Sequence, residues 1–333
     1  MKTGIRILLI IVTSGMMVVK AAAQVDPHFT QYYVHPAWLN PALTGMFEGE
    51  YRASAIYRNQ WSNLSNPFST IGASVEVPTN KNLNVGVSLI NQRAGDGGYT
   101  YTTGYGNVSY TGLRFGKGNF QRIAIGLQAG FIQRKFNPSK MIFDDQWNPA
   151  TGGLKPTQEA ISNPSATAFD AGAGVLYFDA TPGKRANVFA GFSASHINQP
   201  ENRFGGVSNE KMKIRYTVHG GVKLVASEVL TITPHILYLR QNNAEEKMAG
   251  AYAQLKATTT TDLLLGVNYR VKDAFGFQAG FNYNNMVFSA SYDVNVSDLG
   301  KMARGANSFE IGLTFTGIKK TKTPEVEFVC PRL

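Results

Sequence analysis

One cysteine, Cys330, stands in 333 residues, so no internal disulfide framework exists. After residue 23 there is no apolar run of helix length, which excludes a helical membrane protein. The five histidines, His28, His35, His196, His219 and His235, include no pair at metal-ligand spacing with each other or with cysteine. No nucleophile–base signature accompanies them, so they read as strand-end or lumen side chains and no enzyme is expected. Ala171–Gly174 lacks the third glycine and following helix of a dinucleotide loop. Asp144-Asp145 lacks the spaced ligands of a calcium loop. Neither a cofactor nor a metal is implied. The basic excess, Lys+Arg 32 against Asp+Glu 22, is scattered rather than clustered on one element. Only Lys319-Lys320-Thr321-Lys322 forms a run, which argues against a nucleic-acid partner.

The start of the chain supplies the parts of a secretory signal peptide over residues 1–23. Lys2 and Arg6 are the basic start, Ile7–Val19 the apolar core, and Ala21-Ala22-Ala23 the small residues before cleavage. Removing Lys2, Arg6 and Lys20 takes the formal charge from +10 to +7.

What fills the rest is alternation of period two. Leu263, Leu265, Val267 and Tyr269 alternate with Leu264, Gly266, Asn268 and Arg270; Phe275, Phe277 and Phe281 alternate with Gly276, Gln278 and Asn282. One face is apolar and aromatic, the other small or polar. A sandwich would turn the apolar face inward, and an outer-membrane barrel would turn it to lipid. Fourteen such runs are expected, near 50–58, 69–78, 83–93, 99–115, 120–134, 167–179, 187–197, 212–224, 229–241, 246–256, 262–272, 274–284, 286–296 and 307–316. They exceed the usual soluble strand of about five or six residues and suit the roughly nine to eleven needed to cross a bilayer. Connections after even strands are short, and the long ones follow odd strands, as in membrane barrels. The fold expected is all-β: a transmembrane antiparallel barrel over 50–316, outer-membrane lipid around it, and both termini on the periplasmic side. On this reading Val267→Lys costs about 2–4 kcal/mol in mid-bilayer, while Asn268→Lys on the lumen face is tolerated.

Three segments depart from the pattern. Residues 24–49 hold three prolines and no sustained alternation, yet carry Phe29, Tyr32, Tyr33, Trp38 and Leu39. A ring of about fourteen strands is too wide to be filled by its own side chains. The segment is therefore expected to act as a plug from the periplasmic side, through Phe29, Tyr32, Tyr33, Trp38, Asn40 and Pro41. The long connection 135–166 carries Phe143, Asp144, Asp145 and Trp147. It either folds over the mouth or presents a protein-binding surface; the plain alternative is packing on its neighbours. The tail, 317–333, is expected in the periplasm with one short added strand. Glu325 and Glu327 alternate there with Val326 and Phe328, and Lys319, Lys320, Phe328, Cys330 and Arg332 are its candidate docking residues.

Asp26-Pro27-His28-Phe29-Thr30-Gln31-Tyr32, Asn40-Pro41-Ala42-Leu43-Thr44-Gly45 and Tyr57-Arg58-Asn59-Gln60-Trp61 resemble the PorP/SprF family of the type IX secretion system. Cys330-Pro331-Arg332-Leu333 resembles that family's tail, although Leu333 stands where an aromatic is usual. The resemblance implies an outer-membrane β-barrel of Bacteroidetes-type bacteria acting in secretion or gliding motility. Its implied partners are periplasmic and outer-membrane secretion-system proteins and exported adhesins. Asn40-Pro41-Ala42 also resembles the N-terminal hatch of fatty-acid-transporter (FadL-like) barrels, so a channel for hydrophobic solutes is the alternative. The polar inward residues Arg122, Gln128, Asn268, Arg270, Gln278, Asn282 and Glu310 argue against that channel.

Overall fold

The computed structural model describes residues 26–61, 67–79, 82–95, 98–148, 150–158, 163–202, 210–298, 300 and 306–318. The expected signal peptide and most of the expected tail, including Lys319, Lys320, Phe328, Cys330 and Arg332, lie outside the described residues.

Fourteen long strands form one closed barrel. The first seven are β1 (Tyr51–Gln60), β2 (Phe68–Pro78), β3 (Leu83–Ala94), β4 (Tyr99–Phe115), β5 (Gln121–Lys135), β6 (Ser165–Asp179) and β7 (Ala186–Ser195). The others are β8 (Arg215–Val225), β9 (Leu230–Gln241), β10 (Ala244–Lys256), β11 (Thr261–Arg270), β12 (Ala274–Tyr283), β13 (Met286–Asn295) and β14 (Ser308–Gly317). Each pairs antiparallel with the next, and β14 closes on β1 from Tyr51↔Gly317 to Gln60↔Ser308. Closure leaves no free edge along the body of the ring.

Exposure decides which way the faces point. Leu265, Val267 and Phe277 are 63%, 46% and 54% exposed, whereas Asn268 is 2% and Glu310 1%. The apolar face is outside, the reverse of a sandwich. Aromatic neighbours stack on this outer face, Tyr269 on Phe275 at 4.6 Å and Phe281 on Phe288 at 5.1 Å between ring centroids. Val267→Lys should therefore destabilise the barrel in bilayers by about 2–4 kcal/mol, measured by unfolding in liposomes.

The companion expectation for Asn268 needs correcting. Its side chain is buried, with Oδ1 2.9 Å from His235 Nε2 and Nδ2 donating to the Thr30 carbonyl. The N-terminal segment fills the bore there, so Asn268→Lys would force a longer, charged side chain into an occupied and buried site. The tolerated control is instead Asn282→Lys, on a half-buried inward residue that already donates to Asp262. Equal losses at Val267 and Asn282 would overturn the face assignment.

The hydrophobic core lies inside the ring. Leu39, Ala42, Leu43 and Met46 pack on Ala124, Leu176, Phe178, Phe189, Leu237 and Met248. Phe29, Val34 and Trp38 pack on Ile56, Ile90, Tyr101, Tyr105 and Ile132. The segment 26–49 supplies the inner side of each cluster and the wall most of the rest.

Candidate functional site

The segment before β1 folds through local signals. Pro36 opens a single helical turn, α1 (Pro36–Leu39), where its missing N–H costs nothing. Asn40 then caps a 3-10 turn over Pro41–Leu43, its side chain accepting from the Ala42 N–H at 2.9 Å. These turns compact the segment so that its aromatic rings point outward in several directions against the wall.

Its start is clamped at the long-loop end of the barrel. The Asp26 carboxylate lies 2.7 Å from His196 Nε2 and 3.2 Å from Arg215 Nη1, and accepts from the Tyr101 hydroxyl at 2.9 Å. His196 Nδ1 lies 3.0 Å from Asp170, which also accepts from Tyr105 at 2.6 Å. Arg215 sits 4.3 Å above the Trp38 ring and donates to the Trp38 carbonyl. Trp38 in turn donates from Nε1 to the Pro27 carbonyl at 2.9 Å.

Opposite this clasp is a second one. The Thr30 and Gln31 N–H groups donate to the two Glu310 oxygens at 2.7 and 2.9 Å. Thr30 Oγ1 donates to Asp293 at 2.7 Å. Arg58 bridges Glu310 at 2.5 Å and Asp293 at 3.2 Å, and Arg270 reaches Asp293 at 2.9 Å. Two guanidinium groups thus face two carboxylates, all nearly excluded from water. His28 stands near Arg58, and burial with the two nearby cations pushes its imidazole well below its ordinary pKa.

The middle rests in a glycine cradle. A Cβ on Gly126 would stand 2.1 Å from the Ala42 nitrogen, and one on Gly174 would stand 2.0 Å from Asn40 Oδ1. These two glycines face each other across β5 and β6. Asn40 Nδ2 donates to the Val175 carbonyl at 3.1 Å and lies 3.1 Å from His219 Nε2. Ser193 donates to the Leu39 carbonyl at 2.7 Å. Tyr32 and Tyr33 form an aromatic cluster with His235 and Tyr252, and the Tyr33 hydroxyl donates to Gln278.

The end is fixed at the short-turn mouth. Ser109 donates to the Thr44 carbonyl at 2.7 Å, and the Gly45 N–H donates to Glu76 at 2.8 Å while Arg52 holds the same carboxylate. Gly45 has φ +73, a conformation that favours glycine. Residues 26–49 therefore run the length of the bore. The strand ends Tyr51 and Gly317 do meet at the short-turn end, but Asp26 is at the other. An even strand count speaks only to the strands, which is why it could not show this path.

The expected segment residues Phe29, Tyr32, Tyr33, Trp38, Asn40 and Pro41 are brought together inside the ring. Alternation places Arg58, Arg270, Asp293 and Glu310 on the inward face, but their partnership, and that of Asp26 with Asp170, His196 and Arg215, is not legible in the sequence. A charge on the small-residue face of a lipid-length strand was the available signal.

Phe143, Asp144, Asp145 and Trp147 lie apart, on the connection after β5. Asp145 accepts from Thr157 at 2.8 Å and from the Gln158 N–H at 2.6 Å, so it folds the loop on itself. Those bonds, the Gln158 one foremost, hold its carboxyl below the usual range. A two-residue ribbon pairs Trp147 with Leu154, and both are more than half exposed, as is Ile142. Phe143 is half-buried and Asp144 exposed. Among the described residues, no group of three or more His, Cys, Asp and Glu side chains is placed to hold a metal ion.

The Asp26–His196 clasp carries a pH dependence. Burial opposes charge on His196, but Asp26 and Asp170 outweigh it and raise the imidazole to about 9. Burial opposes charge on Asp26 as well, yet His196, Arg215 and Tyr101 hold its carboxyl well below the usual range. A raised histidine contributes stability that is complete below its ordinary value of about 6.5 and lost as pH rises through about 9. A depressed aspartate contributes stability present above its ordinary value of about 3.9 and lost only as pH falls below it. Trp38 fluorescence should therefore become more quenchable by acrylamide above pH 9, and His196→Gln should remove that alkaline step.

A closed ring with an apolar belt and an occupied bore defines a membrane β-barrel. The chain belongs to the PorP/SprF family, type IX secretion system membrane proteins, whose family model matches residues 21–315. That membership points to an outer membrane and to a place among secretion-system components. Solved structures share the fold. The Ralstonia pickettii toluene transporter TbuX aligns at 10% identity and TM-score 0.52, over 84% of this chain and 92% of that one. The P. putida toluene transporter TodX aligns at 8% identity and TM-score 0.50, over 85% and 93%. The CymD monoaromatic hydrocarbon channel aligns at 12% identity and TM-score 0.50, over 93% and 98%. No curated protein sequence matches the chain.

Proposed function

We propose that this barrel serves type IX secretion by docking proteins, with residues 26–49 acting as a fixed plug. The observation that carries the reading is the occupied bore. The segment is tied by charge clusters at one mouth and by Glu76 and Ser109 at the other. A wall that spends its inward polar groups on its own chain offers no continuous path for a solute.

The work then falls to the two mouths. On this reading the long-loop end faces outward. Its ridge of Met141, Ile142, Trp147 and Leu154 takes an exported surface protein, since exposed apolar side chains of this size mark contact surfaces. The short turns and the tail, with Lys319, Lys320, Phe328, Cys330 and Arg332, face the periplasm and engage secretion components there. Crosslinked pull-down from outer membranes tests this. Parent protein should retain a secretion-system or adhesin-type partner. Trp147→Ser with Leu154→Ser should lose the exported one at least about tenfold while the barrel keeps its heat-modifiable mobility. A bound fatty acid with no protein partner would favour the FadL-like channel instead.

A further inference from the structure

Strands β4 and β5 run past β3 at the short-turn end. Pairing of β3 with β4 stops at Leu83↔Tyr110, and the Thr111 N–H still reaches the Asn82 carbonyl at 2.8 Å. Pairing of β4 with β5 continues through Leu113↔Ile123 and Arg114↔Arg122 to Phe115↔Gln121. An extra residue in β4 between Tyr110 and Leu113 bends the strand there. Among the described residues, no strand pairs with Gly112–Phe115 on the β3 side. The ring has no edge along its body, but this projecting tongue has a short one.

The tongue has two chemically distinct faces. Leu113 and Phe115 are exposed on the outer side, and Phe115 lies 6.1 Å from the Tyr177 ring. Arg114 and Arg122 share the inner side as register partners, with Arg114 donating to Asn82 Oδ1 at 2.8 Å. Like charges directly opposite are unfavourable, so an acidic neighbour would be drawn to this side.

We propose that Glu325–Val329, outside the described residues, adds as a strand to the β4 edge at Gly112–Phe115. The sequence Glu325-Val326-Glu327-Phe328 alternates with the same period as the tongue. In a strand, Val326 and Phe328 join Leu113 and Phe115, while Glu325 and Glu327 face the Arg114 and Arg122 side. Both complementary faces are satisfied by one register. Reach also fits. From β14, where Gly317 ends the described strand, β4 is four strand spacings away, roughly 19 Å. The eight steps from Gly317 to Glu325 span up to about 27 Å. The tail leaves β14 at the same end of the barrel as the tongue. An extended segment adding to a free strand edge gains main-chain hydrogen bonds that the edge otherwise gives to water. This inference stands independently of the docking reading.

Disulfide trapping in the purified full chain tests it. In a Cys330→Ser background, Arg114→Cys combined with Glu325→Cys or Glu327→Cys should close within one chain under mild oxidation. The same tail cysteines with Ser227→Cys, on the β8–β9 turn across the ring, should close about tenfold less. Independently, Val326→Pro should speed amide exchange at Gly112–Phe115 by about tenfold, because proline removes a ladder donor. Equal trapping at both sites, disulfide-linked dimers in place of closed chains, or unchanged exchange would each overturn the assignment.

Discussion

Gly126→Val should open the bore. A Cβ at this position would lie 2.1 Å from the Ala42 nitrogen and 2.2 Å from the Pro41 carbonyl carbon, both backbone atoms. Backbone held by the Asn40 cap cannot yield as a long side chain would. The pressure is local to the lumen, since Gly126 points inward and its outer neighbours Ile125 and Leu127 are untouched. Valine also suits a strand better than glycine does. The barrel should therefore still form while the segment is driven off its seat. A ring of fourteen strands without its filling holds a water-wide bore. Planar-bilayer recordings should show conductance rising from near nothing to a level comparable with a chain lacking Gln24–Phe47. Intact barrels with parental conductance in both variants would end the plug reading.

The second large effect is expected from Arg58→Met. Arg58 is 1% exposed and joins Glu310 and Asp293, which in turn hold Thr30 and Gln31. Its removal leaves Glu310 without its bridging cation and Asp293 with Arg270 alone. Breaking a buried pair from one side typically costs about 3–5 kcal/mol, because a charge is left buried without its partner. Unfolding in micelles should show a loss of that size. The double variant Arg58→Met/Glu310→Gln should cost less than the sum of the two single changes, by about 1–3 kcal/mol. A single-variant loss under about 1 kcal/mol would mean the cluster is solvated and does not anchor the segment.

Both experiments concern contacts between residues far apart in the chain. Arg58 and Glu310 are 252 positions apart, and Gly126 meets residues more than eighty positions before it. Within a single strand, such a glycine looks like any small inward residue. Within residues 26–49, the aromatic content showed that something must cover them, but nothing local said which wall, which depth or which direction.

The strands are a different case. Alternation of period two placed all fourteen to within three residues of their observed bounds. Their length and the sorting of their connections pointed to lipid rather than to a second sheet. Burial then fixed the inside-out arrangement, with Leu265 outside and Asn268 within. Those features are local, because each strand must meet the same two environments along its whole length, and a repeating environment writes a repeating sequence. The seat of the N-terminal segment is written only once, in single residues on many strands: Glu310 on β14, Arg215 on β8, Gly126 on β5. Only ring closure brings them to one place, so the chain alone determined the wall, and the tertiary structure decided what occupies it.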